Sequence, residues 1–318
     1  MTKYWKACIY TSIFLLIIGA LPANAQTDID GIMMTKNNFC VGGMYGYSSW
    51  KNYWEGTLKR NNLNLGTVST QMISVMGNYG ITDKLNIMVG APYMMTKASA
   101  GTLHSMKGVQ DGSLWLKWMP VEKTIGKGDL SIYGIAGASI PLANYEPDFL
   151  PLSIGLKSKT LSLRAMGDYQ VGKFFATLSG TYVFRSNIKL DRDAYYTTEM
   201  HYTNEVKMPD VLSFNFRAGY RYGNWIAEAI VDKMNTLGGF DITRNNMPFP
   251  SNKMNATKVG ANFKYEINAV HGLSVIASGN YVVAGRNVGQ ATTIEGGVFY
   301  IINFSKKAKK ASLESKKQ

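Results

Sequence analysis

The chain has 318 residues, 46% of them hydrophobic and 17% charged, with 32 glycines, 19 tyrosines and a formal charge of +13. Two cysteines are too few for a disulfide-stapled secreted domain, and beyond Gln26 no apolar run approaches the roughly 20 residues of a membrane-spanning helix. The basic excess raises nucleic acid as a partner, yet much of it lies at the two ends of an exported chain, which argues against nucleic-acid binding.

Residues 1–25 read as a cleaved secretory signal peptide. Lys3 and Lys6 form its basic start, Ile9 to Leu21 its apolar stretch, and Ala23-Asn24-Ala25 a small-x-small cleavage site. Cys8 leaves with it, no cysteine stands at the cleavage point to carry a lipid, and Cys40 remains alone. An exported chain without an apolar helix either stays soluble in the periplasm or crosses the outer membrane of a Gram-negative bacterium as a closed barrel. Only helices and barrels satisfy their backbone in lipid. Residues 26–38, QTDIDGIMMTKNN, then form either an N-terminal periplasmic segment or a short plug, with Ile29, Ile32, Met33 and Met34 as its apolar face.

From residue 39 the sequence alternates with the period of a strand. Twelve segments do so, over about 39–54, 66–80, 84–97, 112–121, 129–142, 160–170, 173–186, 210–222, 224–235, 254–267, 272–284 and 291–304. In DVLSFNFRAGYRYG, Leu212, Phe214, Phe216, Ala218, Tyr220 and Tyr222 share one face, and Ser213, Asn215, Arg217, Gly219 and Arg221 the other. The connections alternate too. Those at 55–65, 98–111, 143–159, 187–209 and 236–253 are long and polar, whereas those near Thr82-Asp83, 122–128, Val171-Gly172, Gly223 and 268–271 are short. Short periplasmic turns and long extracellular loops are the pattern of outer-membrane barrels. Outward aromatics fall into two bands, Tyr79, Trp118, Tyr169, Tyr222, Trp225, Tyr265 and Phe304 at one rim and Tyr45, Tyr47, Tyr93, Tyr182 and Phe184 at the other. The expected fold is an all-β, antiparallel, up-and-down transmembrane barrel of about twelve strands over 39–304. Residues 305–318 follow as a basic disordered tail with six lysines against one glutamate.

The inward positions carry the candidate lumen residues. Lys117, Arg164, Arg185, Arg217, Arg221, Lys258 and Lys264 are basic, and Asp168, Glu228, Asp232 and Glu295 acidic. Arg217 is expected near Glu228 to Ile230, and Arg221 level with Ile226. Two uses are open: an internal ion-pair ladder that stiffens the barrel, or a charged constriction that selects solutes. Twelve strands lie between barrels filled by side chains and water-filled porins, so a narrow or plugged lumen is expected. Inward Met72, Met76 and Met88 read as lumen filler rather than a soft-metal site. An enzyme would need a positioned histidine. His104, His201 and His271 lie in three different connections, and only His201, near Asp193 and Glu199, offers a cluster. No catalytic residue, metal or cofactor is therefore expected.

Three stretches, YGITDKLNIMVGAPY at 79–93, GVQDGSLWLKWMP at 108–120 and GIAGASIPLANYEPD at 134–148, carry a family resemblance. The chain resembles the outer-membrane β-barrel proteins associated with the meta-cleavage pathway of phenol degradation, themselves similar to outer-membrane transporters of fatty acids and aromatic hydrocarbons. The resemblance implies a barrel that passes small, often apolar or aromatic, solutes and transfers no catalytic residues. Its partners would be outer-membrane lipid, the solute and the barrel-insertion machinery. Within the motifs, Gly80 and Asp83 suit a short turn with unusual backbone angles. Pro92 implies a bulge or the strand's emergence from the membrane, and Asp111 a hydrogen bond to local backbone. The alternative function is a structural or surface-binding barrel with a sealed lumen.

Overall fold

A computed structural model of the protein describes residues 27–243 and 246–305. The expected signal peptide, and the expected tail beyond Ser305, lie outside the described residues. Twelve long strands follow one another: β1 (Asn38–Trp50), β2 (Val68–Thr82), β3 (Leu85–Ala98), β4 (Asp111–Ile125), β5 (Gly128–Pro141), β6 (Thr160–Val171), β7 (Phe174–Arg185), β8 (Val211–Tyr222), β9 (Trp225–Thr236), β10 (Asn255–Glu266), β11 (Leu273–Arg286) and β12 (Thr292–Asn303). Each pairs antiparallel with its sequence neighbour. The ring closes where β1 meets β12, from Asn38 opposite Asn303 to Ser49 opposite Thr292. The all-β barrel expected from the alternation is the fold.

Burial is inverted relative to a soluble sheet. Lys117 is 0% exposed, Asp168 4%, Arg217 6% and Glu228 7%, while Leu178, Ile294 and Val298 are 59%, 63% and 54% exposed. Polar groups thus fill the inside, and the outside is a continuous apolar surface of the kind that faces lipid. Tyr169, Tyr222, Trp225 and Phe304 stand exposed at the short-turn ends of their strands, whereas Trp118 lies in the middle of the lengthened β4, opposite Leu85 at the start of β3. At those ends Trp225 packs edge-on to Tyr265, at 5.2 Å between centroids, and Lys173 lies 3.5 Å over the Tyr222 ring.

One short turn is tighter than the sequence implies, whereas the one expected at 268–271 spans 267–272. β4 continues to Ile125, so its connection to β5 is only Gly126-Lys127 rather than 122–128. Gly126, Gly172 and Gly223 take φ of 65°, 59° and 55°, the left-handed geometry that twisted hairpins need and that glycine adopts without strain. The long connections, expected as polar loops, contain structure of their own. Asn52–Glu55 pairs with Leu58–Asn61. Ile188, Leu190, Tyr195, Val206, Met208 and Phe249 form a buried cluster that ties the connections after β7 and β9 together. Apolar residues among the polar ones let the loops bury a small core above the barrel.

Candidate functional site

Residues 27–37 fold back into the barrel against the lumen wall. The segment begins with a turn organised by Asp30, whose carboxylate accepts from the Thr27 amide at 2.6 Å, the Thr27 hydroxyl at 3.0 Å and the Ile32 amide at 3.2 Å. A short acidic side chain satisfying backbone donors nearby is a standard turn device. Lys117, projecting from β4, then grips the turn. Its Nζ donates to the carbonyls of Thr27, Asp30 and Ile32 at 3.1, 2.6 and 2.9 Å and lies 3.2 Å from Asp30 Oδ1. Arg164 on β6 donates to the Asp28 carbonyl and carboxylate, both at 2.9 Å, and stacks 5.2 Å from Trp115. Tyr133 on β5 donates to the Gly31 carbonyl at 2.8 Å.

The second half of the segment follows β2 and β3. Asn86, 0% exposed, has its amide 2.6 Å from the Met34 nitrogen and 3.0 Å from the Met34 oxygen, oriented to serve both. Asp83 Oδ1 accepts from the Lys36 amide at 2.8 Å, and the Gly80 carbonyl from the Asn37 amide at 2.8 Å. Met34 completes a buried cluster with Cys40, Phe299 and Ile301.

On the long-loop side of this segment lies a cavity of ≈ 290 Å³. Ile29, Ile32, Ile226, Ile230, Ile276 and Met44 give it an apolar lining. Arg217, Arg221, Glu228, Asp232, Lys258, Lys264 and Glu295 supply the charge. On the short-turn side is a wider recess of ≈ 910 Å³, bounded by Gly31, Ile32, Met33 and Thr35. Ile32 borders both spaces, so the segment is the partition between them.

The expected lumen residues divide into four groups. Arg217 pairs with Glu228 at 2.5 Å, and Glu228 also accepts from Asn262 at 2.9 Å. Arg221 is opposite Ile226, as expected, but its guanidinium reaches across β7 to Asp168, at 2.7 and 3.0 Å, and stacks 3.6 Å from Phe175. Asp232 accepts from Asn215 at 3.2 Å and Glu295 from Ser278 at 3.1 Å; with Lys258 and Lys264 they line the cavity. Lys117 and Arg164 hold the segment, so they are not open to solute while it is in place. Arg185 sits apart at the long-loop rim, where its backbone amide donates to Asp210 at 3.0 Å.

The motif residues also differ from their expected roles. Gly80 is absent from the residues with positive φ, and the turn is formed by Asp83-Lys84 beyond it. Its bareness serves a close approach: a Cβ there would overlap the carbonyl oxygens of Met34 and Thr35. Asp83 caps the lumenal segment as well as shaping the turn. At Pro92 the pairing of β3 with its downstream neighbour slips by one residue, between Gly90 opposite Ser113 and Tyr93 opposite Val109. That is the bulge a missing donor implies. Asp111 is bonded to a side chain rather than local backbone: Tyr145 donates to it at 2.6 Å, and the same hydroxyl accepts from the Lys157 amide at 2.9 Å. Burial, and then the hydrogen bond to Asp111, push the Tyr145 phenol well up. His201 stacks on Tyr195 and bonds Thr197 at 2.9 Å, an arrangement built from neither Asp193 nor Glu199. No group of three potential metal ligands occurs among the described residues. Tyr133 and Asn86 are the anchors that sequence reasoning missed. Their only signal was polarity at inward positions.

No family model and no curated protein matches the chain. Among solved structures, an outer membrane channel from Pseudomonas putida F1 superposes with a TM-score of 0.69 at 12% identity, over 88% of this chain and 100% of that one. The translocator domain of the autotransporter NalP from Neisseria meningitidis gives 0.48 at 13% identity, over 95% of this chain and 97% of that one. The CymD monoaromatic hydrocarbon channel gives 0.39 at 13% identity, over 85% and 89%. The last two are too distant in shape to carry an argument. The first establishes a shared fold: the chain is built as a β-barrel of the architecture found in an outer membrane channel.

Proposed function

We propose that the protein is an outer-membrane channel of a Gram-negative bacterium, exported with loss of residues 1–25, and that it passes small solutes with an apolar body passively. Residues 27–37 are its gate. The carrying observation is the Lys117 ammonium enclosed by three carbonyls and one carboxylate of that segment, between an apolar-lined cavity and a wide recess. A buried cation held mainly by backbone carbonyls gives up its partners together, so the segment behaves as one unit with two positions. The motif resemblance and the shared fold with a channel support the same reading. The long loops would face outward, the short turns the periplasm, and the exposed apolar belt the lipid. Neither a cofactor nor a covalent step is called for.

The test is release of small solutes from liposomes holding the folded barrel. The intact protein should release them slowly, and Gly80→Val, which drives a side chain into the Met34 and Thr35 carbonyls, should release them quickly. A Gly80→Val barrel and a barrel lacking residues 27–37 that both stayed tight would replace this reading by a sealed, structural barrel.

A further inference from the structure

The lumenal segment brings its own charge, and the balance it strikes is informative. Six cations line the cavity or hold the segment: Lys117, Arg164, Arg217, Arg221, Lys258 and Lys264. Five wall carboxylates face them, Asp168, Glu228, Asp232, Glu295 and, beside Lys264, Glu266. Asp28 and Asp30 of the segment add two further negative charges, each ion-paired to a wall cation, Arg164 and Lys117. These two cations are level on the wall. Lys117 is opposite Ile135 on β5, and Ile135 is opposite Arg164 on β6. Ile135, 3% exposed, and the ring of Tyr133, 5.3 Å from Lys117 Nζ, form an apolar floor beside them.

We propose that Lys117 and Arg164 form a binding site for the carboxylate of a small organic anion, which the chain's own Asp28 and Asp30 occupy in the closed state. The inference rests on the gate reading and specifies its solute class. When the segment leaves, two carboxylates leave with it, and the wall keeps an excess of cations on β4 and β6. Arg217 and Arg221 do not contribute to the change, because each is already neutralised from the wall, by Glu228 and Asp168. At this level, above the carboxylates of Asp83, Glu122, Asp129 and Glu266 that line the recess, the open lumen therefore prefers anions. A solute with a carboxylate for the cations and an apolar body for the isoleucine-lined cavity competes with the segment for its own anchors. Arg is suited to planar carboxylates through its paired donors, and a buried Lys supplies a compact second charge.

Two measurements test this. The first is the reversal potential of the Gly80→Val barrel in a planar bilayer under a KCl gradient, with and without Lys117→Gln and Arg164→Gln. A severalfold preference for chloride over potassium, lost when both cations are removed, is expected. Conduction without that preference, or with a preference for potassium, overturns the inference while leaving the gate intact. Absence of conduction in both Gly80→Val and the barrel lacking residues 27–37 overturns the gate reading itself. The second uses the unmodified barrel and follows modification of Cys40, buried beneath Met34, by a thiol reagent. Benzoate should accelerate it severalfold, with benzamide and benzylamine matched for size having no effect. Equal rates in all three overturn the competition between solute and segment.

Discussion

Replacing Lys117 by methionine keeps the length and apolar stem of the side chain and removes only the ammonium. In the closed state this strips one cation from four contacts, the carbonyls of Thr27, Asp30 and Ile32 and the Asp30 carboxylate. At roughly 1.5 kcal/mol for each hydrogen bond to a charged group, the gross loss is about 6 kcal/mol. The ammonium is fully buried, however, and its dehydration opposed closure by several kcal/mol. A net loss of about 3 kcal/mol is consistent with both terms and with the cost of breaking buried pairs. Because 1.4 kcal/mol is tenfold, the open population should rise by roughly a hundredfold. Cys40 supplies the assay. It is 2% exposed, packs under Met34 and is the one cysteine among the described residues. Its modification rate should rise toward that hundredfold in Lys117→Met, with solute release from liposomes rising in parallel and the barrel still folded. If Cys40 stays as protected as before and the vesicles stay tight, Lys117 does not hold the segment and the gate is misassigned.

Other expectations follow from the same geometry. Leu178→Arg, at a 59% exposed mid-strand position, would be nearly neutral in a soluble sheet. On a lipid-facing wall it should cost about 2–4 kcal/mol in refolding into bilayers, read from denaturant midpoints. Tyr145→Phe removes the donor to Asp111 and the acceptor for the Lys157 amide. It should loosen residues 143–159 by about 1–2 kcal/mol in local hydrogen exchange and leave Cys40 protection unchanged. Asp241 accepts hydrogen bonds from Arg286, its leading influence, and from Asn287, and these hold its carboxyl below the usual 3.8. A folded value below the unfolded one stabilises above the unfolded value and is lost as pH falls through the folded one. The connection after β9 should therefore stay docked from neutral pH down to about pH 5 and loosen below about pH 4. Hydrogen exchange across residues 237–254 would detect that acid step, and Asp241→Asn should abolish it.

The barrel was legible because its signal is repeated twelve times. Period-two alternation sorts Phe214, Phe216 and Tyr220 from Asn215, Arg217 and Arg221 whatever the surrounding loops do. Each glycine-bearing short turn resets the direction without disturbing the pattern. Hairpin register was readable for the same reason: counting from Gly223 put Arg221 level with Ile226 because antiparallel pairing fixes every position above a two-residue turn. Ion-pair choice was not, because a long guanidinium can pass its hairpin neighbour. Arg221 reaches Asp168 two strands away, over Phe175 on the intervening strand, and nothing in the local sequence orders those options.

The lumenal segment was the hardest feature to read, and the reason is physical. Its anchors act on backbone atoms: Lys117 takes three carbonyls, Tyr133 one, and Asn86 both polar groups of Met34. Backbone groups are the same in every sequence, so such a partner leaves no mark on composition or spacing. What the sequence did show was the shape of the socket, recorded as residues kept small. Gly80 reads as a turn glycine, but the turn lies beyond it, and its bareness accommodates the carbonyls of Met34 and Thr35. Gly31 performs the reciprocal service on the segment, where a Cβ would overlap the Asp168 carboxylate. Two glycines far apart in the chain thus mark two places where the same segment meets the wall, Gly31 at Asp168 on β6 and Gly80 on β2. Enlarging either should displace the same eleven-residue segment, 27–37, and expose the same cysteine. While the closed state still predominates, the two penalties should add in free energy, so the accelerations multiply up to the ceiling set by a segment fully off the wall. A Gly31→Val, Gly80→Val double variant in which Cys40 reacts only at the sum of the two single-variant accelerations, well below that ceiling, would show two separate openings, and would refute a segment that moves as one body.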